Sequence, residues 1–143
     1  MSNSQKSLTN VLQYLNDSIK GLTVCAEDVN QESLKAYLSK VIVERKSFAE
    51  KLKGLVSAHG GEPTDNGSLA GPLHRIYVDL KAYLTDGKPE TIKSEIIRGD
   101  KTLVEAYNEA IKEINEPNEK AILSEQLNLI HKELVNITNN AAF

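Results

Sequence analysis

Apolar residues recur at alternating steps of four and three along almost the whole chain, and this spacing constrains the fold more than any other feature. The first two runs are Leu8, Leu12, Leu15, Ile19, Leu22, Ala26 and Val29, and then Leu34, Leu38, Val41, Arg45, Phe48, Leu52 and Leu55. Side chains at this spacing share one face of an α-helix. The sequence lacks the strict alternation that is typical of β-strands, so it predicts an all-α fold.

Helix-breaking residues divide this pattern into five segments. The interruptions are Asn30, Gly60-Gly61, Asp86-Gly87 and Asn115-Glu116-Pro117. Pro72 and Pro89 suit the first turn of a helix. The predicted helices cover about 4–29, 31–59, 72–85, 89–115 and 117–138. We expect residues 60–71 to form a loop and residues 139–143 to fray.

The lengths of the connections predict the topology. Very short turns join the first helix to the second and the fourth to the fifth, so each pair forms an antiparallel hairpin. A crossover of about thirty residues, which contains its own short helix, joins the two hairpins. Two hairpins with one long crossover are the connectivity of a ferritin-like four-helix bundle. We expect residues 1–143 to form a single domain of this kind.

Charge and cysteine content narrow the range of partners and locations. The net charge is −3, and the basic residues are scattered among acidic ones. A nucleic-acid binder or a protein of anionic membranes normally concentrates its basic residues on one face, so neither partner is predicted. Cys25 is the single cysteine, which excludes an internal disulfide and fits a cytoplasmic location.

Six short groups of residues carry a resemblance to a known family. They are Gly21-Leu22 with Ala26-Glu27-Asp28; Glu44-Arg45 with Phe48-Ala49; Gly60-Gly61-Glu62-Pro63; His74-Arg75 with Asp79-Leu80-Lys81; Arg98-Gly99-Asp100 with Ala106-Tyr107; and Gln126 with His131. In this order and spacing they resemble an uncharacterised bacterial family of ferritin-like four-helix-bundle proteins, a domain of unknown function. The resemblance runs from about residue 8 to about residue 137. It implies a fold and no particular reaction.

The sequence carries only fragments of a ferritin-like metal site. Such sites use a Glu from each of two helices and a Glu-x-x-His from each of the other two. Glu44 is followed by Ser47 where the His would stand, and His131 is preceded by Asn128 where the Glu would stand. Glu44, Asp100 and His131 remain as weak candidates for holding iron or another divalent metal. We therefore predict no cofactor.

Arg45 occupies a core position of the second helix, between Val41 and Phe48. A buried charge must be paired, because an isolated one costs several kcal/mol or more. Asp100 and Asp79 are the candidate partners. A structural ion pair is one interpretation and an anion-binding arginine is the other. The predicted internal polar network consists of Glu44, Arg45, Asp100, Gln126 and His131.

A second polar group is predicted where the crossover helix meets the first helix. Its members are Asp17, His74, Arg75 and Asp79, and the four-residue step from Arg75 to Asp79 makes a same-face ion pair available. The group either pins the crossover helix to the bundle or forms a small polar pocket. Gly21 lies in the middle of the first helix at a cost of about 1 kcal/mol relative to Ala, so we expect a close contact there.

Three functions compete at this point. The first is a non-enzymatic bundle of unknown, stress-related role that acts through a second copy of itself or a protein partner. The second is a degenerate ferritin-like metalloprotein that binds iron and handles oxidants. The third is a binder of small anions at Arg45 or His74-Arg75. No nucleotide-binding or nucleophile motif supports an enzyme of another kind.

Overall fold

The chain folds into five α-helices in a computed structural model that describes residues 2–63, 71–84 and 89–139. The helices are α1 (Asn3–Asp28), α2 (Glu32–Ala58), α3 (Pro72–Tyr83), α4 (Pro89–Glu113) and α5 (Pro117–Asn139). These three ranges contain no β-strand. The prediction of an all-α fold is therefore confirmed.

The helix ends lie within one or two residues of the positions that the sequence patterns indicate. Three predicted features fall outside the described residues: most of the loop at residues 64–70, the interruption at Asp86-Gly87, and the tail at residues 140–143.

Local hydrogen bonds explain several of these ends. Ser2 caps α1, because its hydroxyl accepts the backbone N–H of Gln5 at 3.1 Å. The carboxylate of Glu116 caps α5 by accepting the backbone N–H of Glu119 at 2.9 Å. Gly60 follows α2 with a φ of 83°, in the left-handed region that glycine adopts freely after a helix.

The contacts between helices define the arrangement. α1 packs against α2, α4 and α3, and α4 packs against α5 and α3. The four long helices therefore form a bundle in the order α1, α2, α5, α4, and α3 covers the seam between α1 and α4. The backbones of α2 and α5 stay further apart, and a groove lies between them.

Side-chain contacts fix the directions of the helices. His59, at the C-terminal end of α2, contacts Glu119 near the N-terminal end of α5, so these two helices are antiparallel. Arg45 of α2 is level with Asp100 of α4 and Glu133 of α5. Because α4 and α5 form an antiparallel hairpin, α2 and α4 run parallel. The chain must therefore return along the length of the bundle between α2 and α4, and α3 is part of that return.

The apolar core consists of two clusters with a polar layer between them. The first cluster is formed by the buried apolar side chains within residues 8–15, 48–56, 103–114 and 123–130. The second is formed by those within residues 22–29, 34–42, 73–80 and 92–96, together with Ile137. Ser18, Arg45 and Asp100 are buried and fall between the two clusters in their helices.

No helix within the described ranges combines the length and the apolar character that crossing a membrane requires.

Candidate functional site

The polar layer is organised around the guanidinium of Arg45, which is 1% exposed. Its Nη2 donates to the carboxylate of Asp100 and, at 2.9 Å, to Oε1 of Glu133. Its Nη1 donates to the hydroxyl of Ser18 and, at 3.3 Å, to the hydroxyl of Tyr77. One side chain of α2 therefore binds one residue from each of the other four helices.

Each member of the layer stands at a position where its helix would otherwise bury an apolar side chain. In α1 the buried series runs through Val11, Leu15, Ser18, Leu22 and Cys25, and Val29 continues it directly after the helix. In α5, Glu133 lies three residues after Ile130 and four before Ile137, both of which are fully buried. This spacing directs the polar side chains inward, where Arg45 donates hydrogen bonds to their oxygen atoms.

Tyr77 joins the crossover helix to the layer. Its hydroxyl lies 3.0 Å from the Ser18 hydroxyl, and burial raises its pKa to about 12, although Arg45 lowers it. The ring packs against two glycines: a Cβ added at Gly21 would lie 2.3 Å from Cγ of Tyr77, and one added at Gly99 would lie 3.2 Å from its hydroxyl oxygen. The close contact that we expected at Gly21 is therefore made by Tyr77.

The layer has more negative than positive groups. Arg45 stays charged: burial alone would lower its pKa, but Asp100, Tyr77 and Glu133 raise it well above the usual value. Burial raises the pKa of Glu133 to about 8, with Arg45 opposing and Asp100 and Glu44 adding to the rise. Oδ2 of Asp100 has no hydrogen-bond partner among the described residues. A protonated Glu133 would provide a hydrogen-bond donor for Asp100, which is one of the causes that raise the Glu133 pKa.

Glu133 is the member of the layer that reaches the surface. Its side chain is 13% exposed, and it lines the groove between α2 and α5, which has a volume of about 590 Å³. We call this the α2/α5 groove. Its lining is Ser33, Ala36, Tyr37, Lys40, Val41, Glu44, Leu129, Lys132, Glu133 and Asn136. Burial is the main cause that raises the pKa of Tyr37 above its usual value, and the charge of Glu133 adds to it.

Polar contacts bridge α2 and α5 at three levels. Arg45 contacts Glu133 near one end of the seam. In the middle, the side-chain amide of Gln126 donates to the backbone carbonyl of Phe48 at 3.4 Å and accepts the Tyr107 hydroxyl at 2.6 Å. At the other end His59 Nε2 lies 2.6 Å from a carboxylate oxygen of Glu119. These contacts hold two helices whose backbones are not closely packed.

The predicted internal network is only partly brought together. Arg45 and Asp100 pair directly. Gln126 is buried but binds Tyr107 in a separate contact, and Glu44 is half-buried on the wall of the groove. The placement of His131 inside the bundle is wrong: it is exposed, because it lies one residue, or about 100°, past the buried Ile130.

The weak metal candidates Glu44, Asp100 and His131 are not gathered into a site. The described residues contain no group of three or more His, Cys, Asp or Glu that could hold a metal ion. The positive charge between Asp100 and Glu133 is the guanidinium of Arg45. With this guanidinium in place the two carboxylates do not suit iron or another divalent metal, and the metalloprotein alternative stays a prediction.

The second predicted polar group, at the contact of the crossover helix with the first helix, is also divided between separate places. Asp17 and His74 line a groove of about 180 Å³ between α1 and α3, together with Gly21, Val24, Tyr77 and others. Arg75 is exposed and lies outside this lining. Asp79 lies 3.8 Å from Arg98 of α4, so the ion pair at Asp79 connects α3 to α4.

Comparison with known protein families identifies the family of this chain. The family described as "Domain of unknown function (DUF2383)" matches residues 3–113. The chain belongs to this family. The DUF2383 match covers α1 to α4 and includes Arg45, Tyr77 and Asp100, whereas α5 with Glu133 follows it. No curated protein matches the chain.

Proposed function

We propose that this chain is a non-enzymatic protein with a ferritin-like bundle that acts by binding a second copy of itself through the face formed by α2 and α5. The observation that carries the proposal is the difference between two opposite seams of the bundle. α3 covers the seam between α1 and α4, whereas no helix of the described ranges covers the α2/α5 groove. Helix–helix bundles bury such a seam against another element where one is available.

Exposed apolar side chains support the proposal that this face is a contact surface. Val43 is 69% exposed, Leu129 is 38% exposed and Val135 is 57% exposed. Leu129 lines the groove, and Val43 lies seven residues, or two helical turns, after Ala36, which also lines it. Val135 lies outside this lining and lines a neighbouring depression that shares Lys132 and Asn136 with the groove. Exposed apolar side chains that share one face mark an interaction site more often than isolated ones do.

The face is large enough for a stable dimer. α2 has 27 residues, so it is about 40 Å long, and two neighbouring helices cover a width of about 20 Å. The resulting area of roughly 800 Å² per copy is what a standard protein–protein interface buries on each partner.

The charges on α2 are self-complementary. Lys40 and Glu44 both line the groove and lie four residues apart. If two copies of α2 cross antiparallel with the two-fold axis level with Ile42, one residue from Val43, Lys40 of each copy comes level with Glu44 of the other. A two-fold axis requires this kind of self-matching surface.

Sedimentation equilibrium of Val43→Glu tests the proposal. We expect a dimer for the unaltered chain and a dissociation constant at least about tenfold higher for the variant, because a charge replaces an apolar side chain near the axis. Val78→Glu is the matched control: Val78 is 54% exposed but lies on α3, so its dimer should be unchanged. A monomer at high micromolar concentration, or equal effects of the two variants, would refute the proposal.

A further inference from the structure

The contact between α1 and α3 leaves a small groove on its outer side, which we call the α1/α3 groove. The missing side chain of Gly21 lets the Tyr77 ring pack directly on α1, with its hydroxyl pointing inward to the polar layer. Val24 of α1 and Val78 of α3 border the groove, and both are exposed. Exposed apolar side chains around one groove indicate a surface that another molecule covers.

The volume of the groove sets the size of the molecule that it can hold. It measures about 180 Å³, and an apolar cavity of about 150 Å³ accommodates one benzene ring. The α1/α3 groove therefore has room for one ring that carries a small polar group. Sites for small molecules typically combine apolar walls with a few polar groups that fix the orientation of the ligand.

The charges around the groove favour an anion. Among the described residues that line it, Lys20, His74 and Lys81 are basic. Asp17 is the acidic residue of this lining. Lys81 also lies 3.6 Å from Asp28, which is outside the lining. Because an exposed pair of this kind is weak and an ammonium group has three donors, Lys81 can bind a second carboxylate.

A neighbouring groove adds to the positive charge on this side of α1. Lys20 also lines a groove of about 510 Å³ between α1 and α2, together with Lys46, Lys53 and Glu50. The described residues of the two linings comprise four lysines and one histidine against Asp17 and Glu50, although the whole chain has a net charge of −3. A local excess of positive charge raises the concentration of anionic ligands near the surface.

We infer that the α1/α3 groove binds a small aryl carboxylate. The aromatic ring of the ligand lies against Tyr77, between Val24 and Val78, and its carboxylate meets the ammonium group of Lys20. An aromatic ring suits this floor because it packs favourably against the ring of a tyrosine. Burial of the ring supplies most of the affinity, and the basic side chains select the sign of the charge. The site is separate from the α2/α5 groove, so the inference does not depend on the proposed self-association.

Titration of the isotope-labelled full chain with phenylacetate, followed by two-dimensional NMR, tests the inference. We expect saturable shifts centred on Gly21, Val24 and Val78, with a dissociation constant of about 1 mM or lower, which a ligand of this size can reach. Phenethylamine keeps the ring but carries a positive charge, so it should bind at least about tenfold more weakly. Acetate lacks the ring, so it should not saturate the site below about 20 mM.

Two pairs of variants locate the ligand. Val78→Glu should weaken phenylacetate binding at least about tenfold, because it places a negative charge in the groove. Its matched control, Val43→Glu on α2, should leave the binding unchanged. Lys20→Gln should weaken the binding by about threefold, as expected for an exposed ion pair. Arg75→Gln is its control, because Arg75 is exposed on α3 but lies outside the lining. All four positions are exposed, so these variants do not disturb the core.

Three results would overturn the inference. They are equal affinities for phenylacetate and phenethylamine, unchanged binding of phenylacetate by Val78→Glu, and the absence of saturable shifts below about 20 mM phenylacetate. None of them bears on the proposed self-association, which Val43→Glu tests on a different face of the bundle.

Discussion

Alanine in place of glycine should have opposite effects on stability at two positions in the long helices. Gly54 of α2 is exposed, and a Cβ added there meets no atom within 4 Å. Because alanine is the better helix former, Gly54→Ala should stabilise the protein by about 1 kcal/mol. The gain in helix propensity is the same at Gly21 of α1. Any difference between the two variants in the free energy of unfolding therefore measures the contact with Tyr77.

At Gly21 the added methyl group would overlap the side chain of Tyr77. It would lie 2.3 Å from Cγ, 2.4 Å from Cδ2 and 2.6 Å from Cβ of Tyr77. Carbon atoms normally approach to about 3.5–4.0 Å, so the ring must move by more than about 1 Å. Gly99 and the hydroxyl contacts to Ser18 and Arg45 restrict that movement. Overpacking costs about 1–3 kcal/mol, and a weakened hydrogen bond to a buried charge adds about 1.5–3 kcal/mol. After the gain of about 1 kcal/mol in helix propensity, we expect a net loss of roughly 1.5–5 kcal/mol.

Urea denaturation followed by circular dichroism measures both variants. The decisive control is Gly21→Ala in a Tyr77→Ala background, where the ring is gone. There the substitution should stabilise by about 1 kcal/mol, as at Gly54. If Gly21→Ala in the unaltered chain is as stabilising as Gly54→Ala, the contact between α1 and α3 is not as described.

Three further predictions concern the polar layer. Burial raises the pKa of Glu133 to about 8 in the folded chain from its usual 4.5, so the free energy of unfolding falls as the pH rises from about 4.5 to about 8 and levels off above that. Thermal melts at pH 5.5 and 8.5 should therefore show a smaller pH dependence for Glu133→Gln than for the unaltered chain, and equal dependences would contradict the assignment. Arg45→Met should lower the free energy of unfolding by about 3–5 kcal/mol, because it leaves two carboxyl groups without their cation; a loss below about 1 kcal/mol in urea denaturation would count against the layer. Elemental analysis of protein purified without chelator should find no stoichiometric iron, manganese or zinc, and one metal per chain would revive the metalloprotein alternative.

The sequence predicts the helices well because their signals are local. The apolar spacing identifies each helix, and residues such as Gly60 and Pro72 mark ends that the structure places within two residues. Arg45 could be recognised as a buried charge from its position between Val41 and Phe48. Its pairing with Asp100 was one of two alternatives, because spacing within single helices does not set the level of one helix against another.

The members of the layer that were missed are polar residues inside apolar series. Ser18 follows Val11 and Leu15 at helical spacing, and Glu133 lies between Ile130 and Ile137, but a search for apolar stripes passes over both. A search for polar residues at core spacing could have found them. The role of Tyr77 could not be found in this way, because it depends on where the crossover helix lies on α1 and α4.

The polar layer also limits how the helices can slide past one another. A slip of α2 by one turn would move Arg45 by about 5.4 Å and bring its guanidinium against one of the two apolar clusters, while Asp100 and Glu133 would lose their cation. Purely apolar packing at repeating positions would tolerate such a slip far better, since leucine and isoleucine are nearly interchangeable as neighbours. The layer therefore distinguishes the native alignment of the bundle from its shifted alternatives, even where it adds little to the net stability.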